Sequence, residues 1–192
     1  MVGTSPIIAS VEEFEAFVAQ LEHVDRLYEY LDGEIVEVVA TDTSAALGAR
    51  LAILIGGYAL RHELGYVTGA NTGYRIGNDV MIPDFAYIAK GKRGRATSTG
   101  EFYKLYSSVV PDLVIEVKSA RDSLQSLRLQ AQRYLAHGVR LVWLVFPDEQ
   151  VIESYDQKSL EAQMLNGDAE LSGEEVLPGF SLAVNRIFVR TV

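Results

Sequence analysis

Pro111-Asp112-Leu113-Val114-Ile115-Glu116-Val117-Lys118-Ser119 is the stretch from which the rest of the chain is read. Its residues alternate as in an extended strand. Leu113, Ile115 and Val117 take one face, and Val114, Glu116 and Lys118 take the other. Two opposite charges on a half-buried sheet face cost free energy unless they pair or bind something. A further carboxylate, Asp84, follows Pro83 in a similar apolar run, residues 80–88. Two carboxylates and a lysine on one sheet are suited to holding a divalent cation against a phosphodiester.

Outward from that strand, Asp122 is placed to cap a helix, with Gln125 at the capping-box position and Gly138 at the far end. Leu124, Leu127, Ala131, Tyr134 and Leu135 form its apolar stripe. Residues 139–146 are almost wholly apolar, as in a central strand covered on both faces. A turn at 147–150 leads to another strand at 151–155. Upstream, Ser10-Val11-Glu12-Glu13 opens a short helix. Asp32-Gly33 between two β-rich runs predicts a hairpin in which Leu31 faces Glu34. Residues 44–64 read as a long helix ended by Gly65. Strands are expected at 65–68, 72–76 and 80–89, and a basic loop at 90–108. The order gives one α/β domain over residues 1–192 with a mixed sheet: an N-terminal helix and hairpin (1–43), then a core with a C-terminal extension. Strand 112–118, helix 122–138 and strand 139–146 form a parallel crossover unit.

Composition narrows the chemistry. The 192 residues contain no cysteine, which excludes disulfides and thiolate metal sites and fits a reducing cytoplasm. The three histidines are scattered, with no zinc spacing. The longest apolar stretch, ten residues at 51–60, is too short to cross a bilayer, so no membrane partner is expected. Net charge is −9, but residues 148–175 carry nine acids against one base. The first 147 residues can therefore still present a basic surface. Walker, Rossmann and Gly-x-Ser-x-Gly patterns are absent.

In this reading Asp84 and Glu116 ligate Mg²⁺ (or Mn²⁺), with the Val117 carbonyl as a third ligand if the strand end leaves it unpaired. Lys118 orients the attacking water and stabilises charge on the phosphate. Lys90, Lys92, Arg93 and Arg95 are candidate phosphate contacts from the basic loop.

Pro83-Asp84 followed by Glu116-Val117-Lys118 resembles the motif of the PD-(D/E)XK nuclease superfamily. More narrowly, the chain resembles the Uma family of restriction-endonuclease-like proteins. The resemblance runs through residues 31–36, 82–88, 111–119, 134–139, 142–145 and 177–180. It implies a restriction-endonuclease-like core, DNA as partner and a metal-dependent endodeoxyribonuclease activity. A homodimer is one assembly it allows. Many family members have leucine at the position of Lys118 and a lysine on the following helix, where this chain has Gln130. Gln130 and Tyr134 also match the Gln-x-x-x-Tyr signature of RecB-like nucleases, which borders the metal site. Superfamily enzymes often draw one more acid from the first core helix. Here the hairpin offers Glu34, with Glu29 as second choice.

Bland readings stand beside these. A lone Glu-x-Lys in a strand is most often an ion pair, Asp84 after proline a turn residue, and Tyr134 a core residue. Co-occurrence in the right order favours the metal site. The rival is a catalytically inactive nuclease-fold module that binds DNA or protein; a binder of small phosphorylated ligands ranks last.

Overall fold

The computed structural model describes residues 10–23, 25–39, 41–92, 106–159 and 161–188. Along the chain stand α1 (Val11–Val18) and the hairpin β1 (Leu27–Leu31) and β2 (Glu34–Val38). Next, α2 (Asp42–Leu51) runs through a π-helical stretch (Ala52–Gly56) into α3 (Gly57–Arg61). Then follow β3 (Gly65–Gly69), β4 (Gly73–Ile76), β5 (Asp79–Met81), β6 (Phe85–Ala89) and β7 (Tyr106–Ser107). The rest is β8 (Leu113–Val117), α4 (Leu124–Ala136), β9 (Leu141–Phe146), β10 (Val151–Asp156), β11 (Ala162–Asn166), β12 (Glu170–Ser172) and β13 (Ser181–Ala183).

Strand β8 lies inside a six-stranded sheet of order β11-β10-β9-β8-β6-β3. It pairs parallel with β9 and antiparallel with β6. The parallel pair requires a crossover, which α4 supplies. The alternation in β8 sorts as read. Leu113, Ile115 and Val117 join the core under α2–α3, with Leu51, Ile55, Ala59 and Trp143. Val114 joins the core under α4, with Leu127, Ala131, Tyr134, Val142 and Leu144. Each such aliphatic side chain stabilises the fold by roughly 1.5–3 kcal/mol when fully buried. The fold is therefore a mixed α/β architecture with helices on both faces of the sheet.

A second sheet, β2-β1-β5-β4-β7, carries the hairpin. Leu31 pairs with Glu34, as Asp32-Gly33 predicted; both turn residues have positive φ, which suits glycine at the second. Tyr28, Tyr30 and Ile35 on one face of the hairpin pack against Phe14 of α1. The hairpin turn is tied to α4 by Arg133, which bridges Asp32 and Asp79.

Three expectations are corrected. Residues 80–89 are two strands in two sheets, because Pro83 interrupts the run and has no N–H to continue a ladder. The α4 cap is Ser123, which accepts from Ser126 N–H; Asp122 instead accepts from Ser119 N–H at 2.7 Å and closes the turn before the helix. Strands β11 and β12 were not anticipated. Ala162-Gln163-Met164-Leu165-Asn166 buries only Leu165, so it has no alternating apolar face to read.

The helical run Asp42–Arg61 is long and apolar enough by composition to cross a membrane. Its inner side chains Leu51, Ile55 and Ala59 belong to the core.

Candidate active site

The site forms where β6 and β8 part. Their ladder ends at Phe85 opposite Ile115. Lys118 N–H donates to Val145 of β9, so the preceding residue, Val117, turns its own N–H and carbonyl toward β6. Carried two residues past that end, the register would put Pro83 opposite Val117. Proline has no N–H, so the Val117 carbonyl has no ladder donor there. The Val117 N–H is taken by a side chain instead, donating to Asp84 Oδ2 at 2.8 Å. The Pro-Asp pair thus ends the strand pairing, frees one backbone acceptor and fixes a carboxylate beside it.

Glu116 faces α4. It is only 9% exposed, and Tyr134 donates its hydroxyl to Glu116 Oε1 at 2.8 Å. The Asp84 N–H also hydrogen-bonds the Glu116 carboxyl. Burial pushes the Glu116 carboxyl well above the usual range, and the charges of Asp84 and Glu29 push it further; the two hydrogen bonds only partly oppose this. Asp84 is raised by burial as well, against its bond from Val117, with the Asp122 charge adding to the rise.

The third carboxylate comes from the hairpin. Glu29, 8% exposed, accepts the Ile82 N–H at 2.7 Å. Burial pushes it up to about 7, with the charges of Asp84, Asp122 and Asp79 contributing. The hairpin acid in the cleft is therefore Glu29. Glu34, the first choice from sequence, sits exposed beside the turn and does not line the cleft. The alternation that carries Leu27, Glu29 and Leu31 on one face was the available signal: a lone charge among leucines.

These groups share a cleft of about 440 Å³. The hairpin face gives one wall, through Leu27, Leu31, Val36 and Val38. Opposite stand the turn after β8 and the start of α4, with Ser119, Arg121, Asp122, Ser126 and Gln130. Arg121 is the cation among its described lining residues, against Glu29, Glu37, Asp84, Glu116 and Asp122. Sequence reasoning missed Arg121 and Ser119, for turn residues carry no periodic signal.

Among the described residues no three acidic or histidine side chains gather into one ligand cluster. The oxygens that could hold a cation there are the Asp84 and Glu116 carboxylates and the Val117 carbonyl, to which Pro83 offers no N–H. Mg²⁺ asks for about that many protein ligands and keeps several waters. Burial and the mutual repulsion of neighbouring carboxylates raise Glu29, Asp84 and Glu116 alike.

The other predicted residues are placed as follows. Gln130 lines the cleft and Tyr134 lies buried behind Glu116. Lys118 is half-buried one residue beyond β8 and is not among the residues lining the cleft. Lys90 pairs with Glu63 at 3.3 Å, and Lys92 with buried Asp112 at 2.8 Å. Both follow the end of β6 away from Asp84, roughly 17 Å along the strand. They do not border the carboxylates. Arg93 and Arg95 lie outside the described residues.

A parallel strand pair bridged by α4, with carboxylates where β6 leaves β8, defines the class: a restriction-endonuclease-like nuclease fold. The solved structure of a "putative nuclease belonging to DUF820" from Anabaena variabilis ATCC 29413 matches with a TM-score of 0.80. It is 20% identical, and the match covers 94% of this chain and 97% of that one. The chain belongs to the Uma2 family, described as "Putative restriction endonuclease", whose model matches residues 11–185. No curated protein matches it.

Proposed function

We propose that the protein is a Mg²⁺- or Mn²⁺-dependent endonuclease that hydrolyses DNA phosphodiester bonds in this cleft. One observation carries the reading: Asp84 and Glu116 lie together where the β6–β8 ladder ends, linked by the Asp84 N–H and beside Val117. These three groups would hold the cation. When bound, the cation supplies a water of lowered pKa and polarises the phosphoryl oxygens.

The chain's own residues do the rest. The Tyr134 hydroxyl anchors the carboxyl of Glu116, a residue that lines the cleft. Arg121, on the cleft wall, is placed to meet a phosphate oxygen, and Gln130 to hydrogen-bond a sugar or base. Lys118 is assigned the electrostatic role at the attacking water, reached by its four-carbon stem from the end of β8.

Purified protein should nick plasmid DNA with Mg²⁺ or Mn²⁺. Asp84→Ala, Glu116→Ala and Lys118→Ala should each abolish nicking. Cutting that survives all three changes defeats the proposal. The position of Lys118 outside the cleft lining favours a second reading, a nuclease-fold module without turnover. That reading predicts Mn²⁺ binding with no nicking by the unmodified chain.

A further inference from the structure

The hairpin wall of the cleft is apolar where a sheet face open to water is normally polar. Register sets Leu27 against Val38 and Glu29 against Val36, so these four side chains share the face turned to the cleft. The other face, with Tyr28, Tyr30 and Ile35, packs against α1. The cleft face stays partly open: Leu27 is 38% exposed and Val36 41%. An apolar platform thus lies beside the buried Glu29 carboxyl. Across the cleft from it stands Gln130, an amide that can both donate and accept.

Charge is the second, independent sign. Arg121 faces five carboxyl side chains among the described residues that line the cleft. The described cations beside the hairpin and on α4 are already paired: Arg26 with Glu37, Arg128 with Glu153, and Arg133 with Asp32 and Asp79. Duplex DNA is held chiefly by lysines and arginines on the phosphates of its two strands. On the hairpin side a second strand would meet Glu34 and Glu37, exposed acids of the edge strand β2. The cleft volume, about 440 Å³, is in the range that encloses one small molecule, roughly 300–1,000 Å³. That suits a nucleotide and not a double helix.

We propose that the substrate is single-stranded DNA, with one unpaired base laid against Leu27, Val36 and Val38 while its phosphate lies at Asp84 and Glu116. The phosphate half of this rests on the nuclease reading; the base half rests on the hairpin wall. An unpaired base exposes two apolar faces that a duplex hides in its stack. Enzymes that act on extruded bases hold those faces between apolar side chains and read the edge by hydrogen bonds. Leu27, Val36 and Val38 supply the first contact here, and Gln130 the second. Every base has such a face, so the wall accepts any of them. Nicking of a supercoiled plasmid agrees with this, because negative supercoiling favours strand opening. Relaxed linear duplex should resist.

The test is fluorescence anisotropy with one labelled oligonucleotide, single-stranded or annealed to its complement, with Ca²⁺ in place of Mg²⁺. The single strand should bind about tenfold more tightly than the duplex, the worth of one stacked base. Leu27→Ala combined with Val36→Ala should remove that advantage and leave duplex binding unchanged. Both positions are partly exposed, so the fold should persist, which a melting curve checks. Val36→Tyr should act in the opposite sense and strengthen single-strand binding, since an aromatic ring is a better platform. Cutting of single-stranded and relaxed duplex DNA with Mg²⁺ or Mn²⁺ is measured beside it. Duplex bound as tightly as single strand overturns the inference, as does an alanine pair without effect, an RNA strand of the same sequence bound more tightly than the DNA, or no oligonucleotide bound at all. Equal cutting of single strand and relaxed duplex also overturns it while the nuclease reading stands. Single-strand binding that the alanine pair weakens, with no cutting, supports the base wall and defeats the nuclease reading.

Discussion

Glu29→Gln is the substitution whose consequence can be worked furthest. The new amide keeps a side-chain oxygen to accept the Ile82 N–H, so the 2.7 Å hydrogen bond survives in form. What disappears is the titration. Glu29 titrates near 4.5 in an unfolded chain and is pushed up to about 7 in the folded one. The folded state therefore binds the extra proton, and its advantage is complete below about pH 4.5. It is lost as pH rises through 7, where the folded protein must hold a buried carboxylate that the unfolded chain leaves in water. At about 1.4 kcal/mol per pKa unit, the loss is on the order of 3 kcal/mol. For a chain of this size that is roughly 6–12 °C in melting temperature. Removing the Glu29 charge also eases the ionisation of Glu116, which acts in the same direction. The assay is thermal or urea unfolding from pH 5 to 8.5 with EDTA present. The Glu29→Gln variant should match the unmodified protein near pH 5 and be the more stable by several degrees near pH 8. Two curves that stay parallel across the range would refute the reasoning, since Glu29 would then not be an uncompensated buried acid.

Other consequences follow from the same geometry. Tyr134→Phe removes a buried donor to Glu116; it should cost about 1–3 kcal/mol by urea unfolding and lower Mn²⁺ affinity roughly 10–100-fold by titration calorimetry. Arg133→Ala unlinks the hairpin turn from α4 by losing Asp32 and Asp79 together; a loss of about 2 kcal/mol is expected, with faster amide exchange in β1 and β2. Gly77→Ala should destabilise by at least about 1 kcal/mol in urea, since φ is +64° and the added methyl would meet the His137 ring.

Much of this was legible in the chain because the physics was local. Alternation in 113–117 gave both the strand and the side of the sheet on which Glu116 lies. Asp32-Gly33 gave the hairpin and its register. What was not legible depends on partners distant in sequence. Which hairpin acid enters the cleft depends on how the second sheet, tied to α4 through Arg133, docks, so Glu34 was preferred to Glu29 from sequence. Lys92 looked like a phosphate ligand until its buried counter-ion Asp112 came beside it. The split of 80–89 into two strands required the sheet partners of each half, although Pro83 was in plain view.

In the proposed mechanism Asp84, Glu116 and the Val117 carbonyl act together as a cation site. Titrating Mn²⁺ into the protein near pH 8, with Glu116→Gln in parallel, asks this without any substrate. Heat from the unmodified chain that vanishes in the variant is the expected result. No heat from either protein, or equal heat from both, would contradict it.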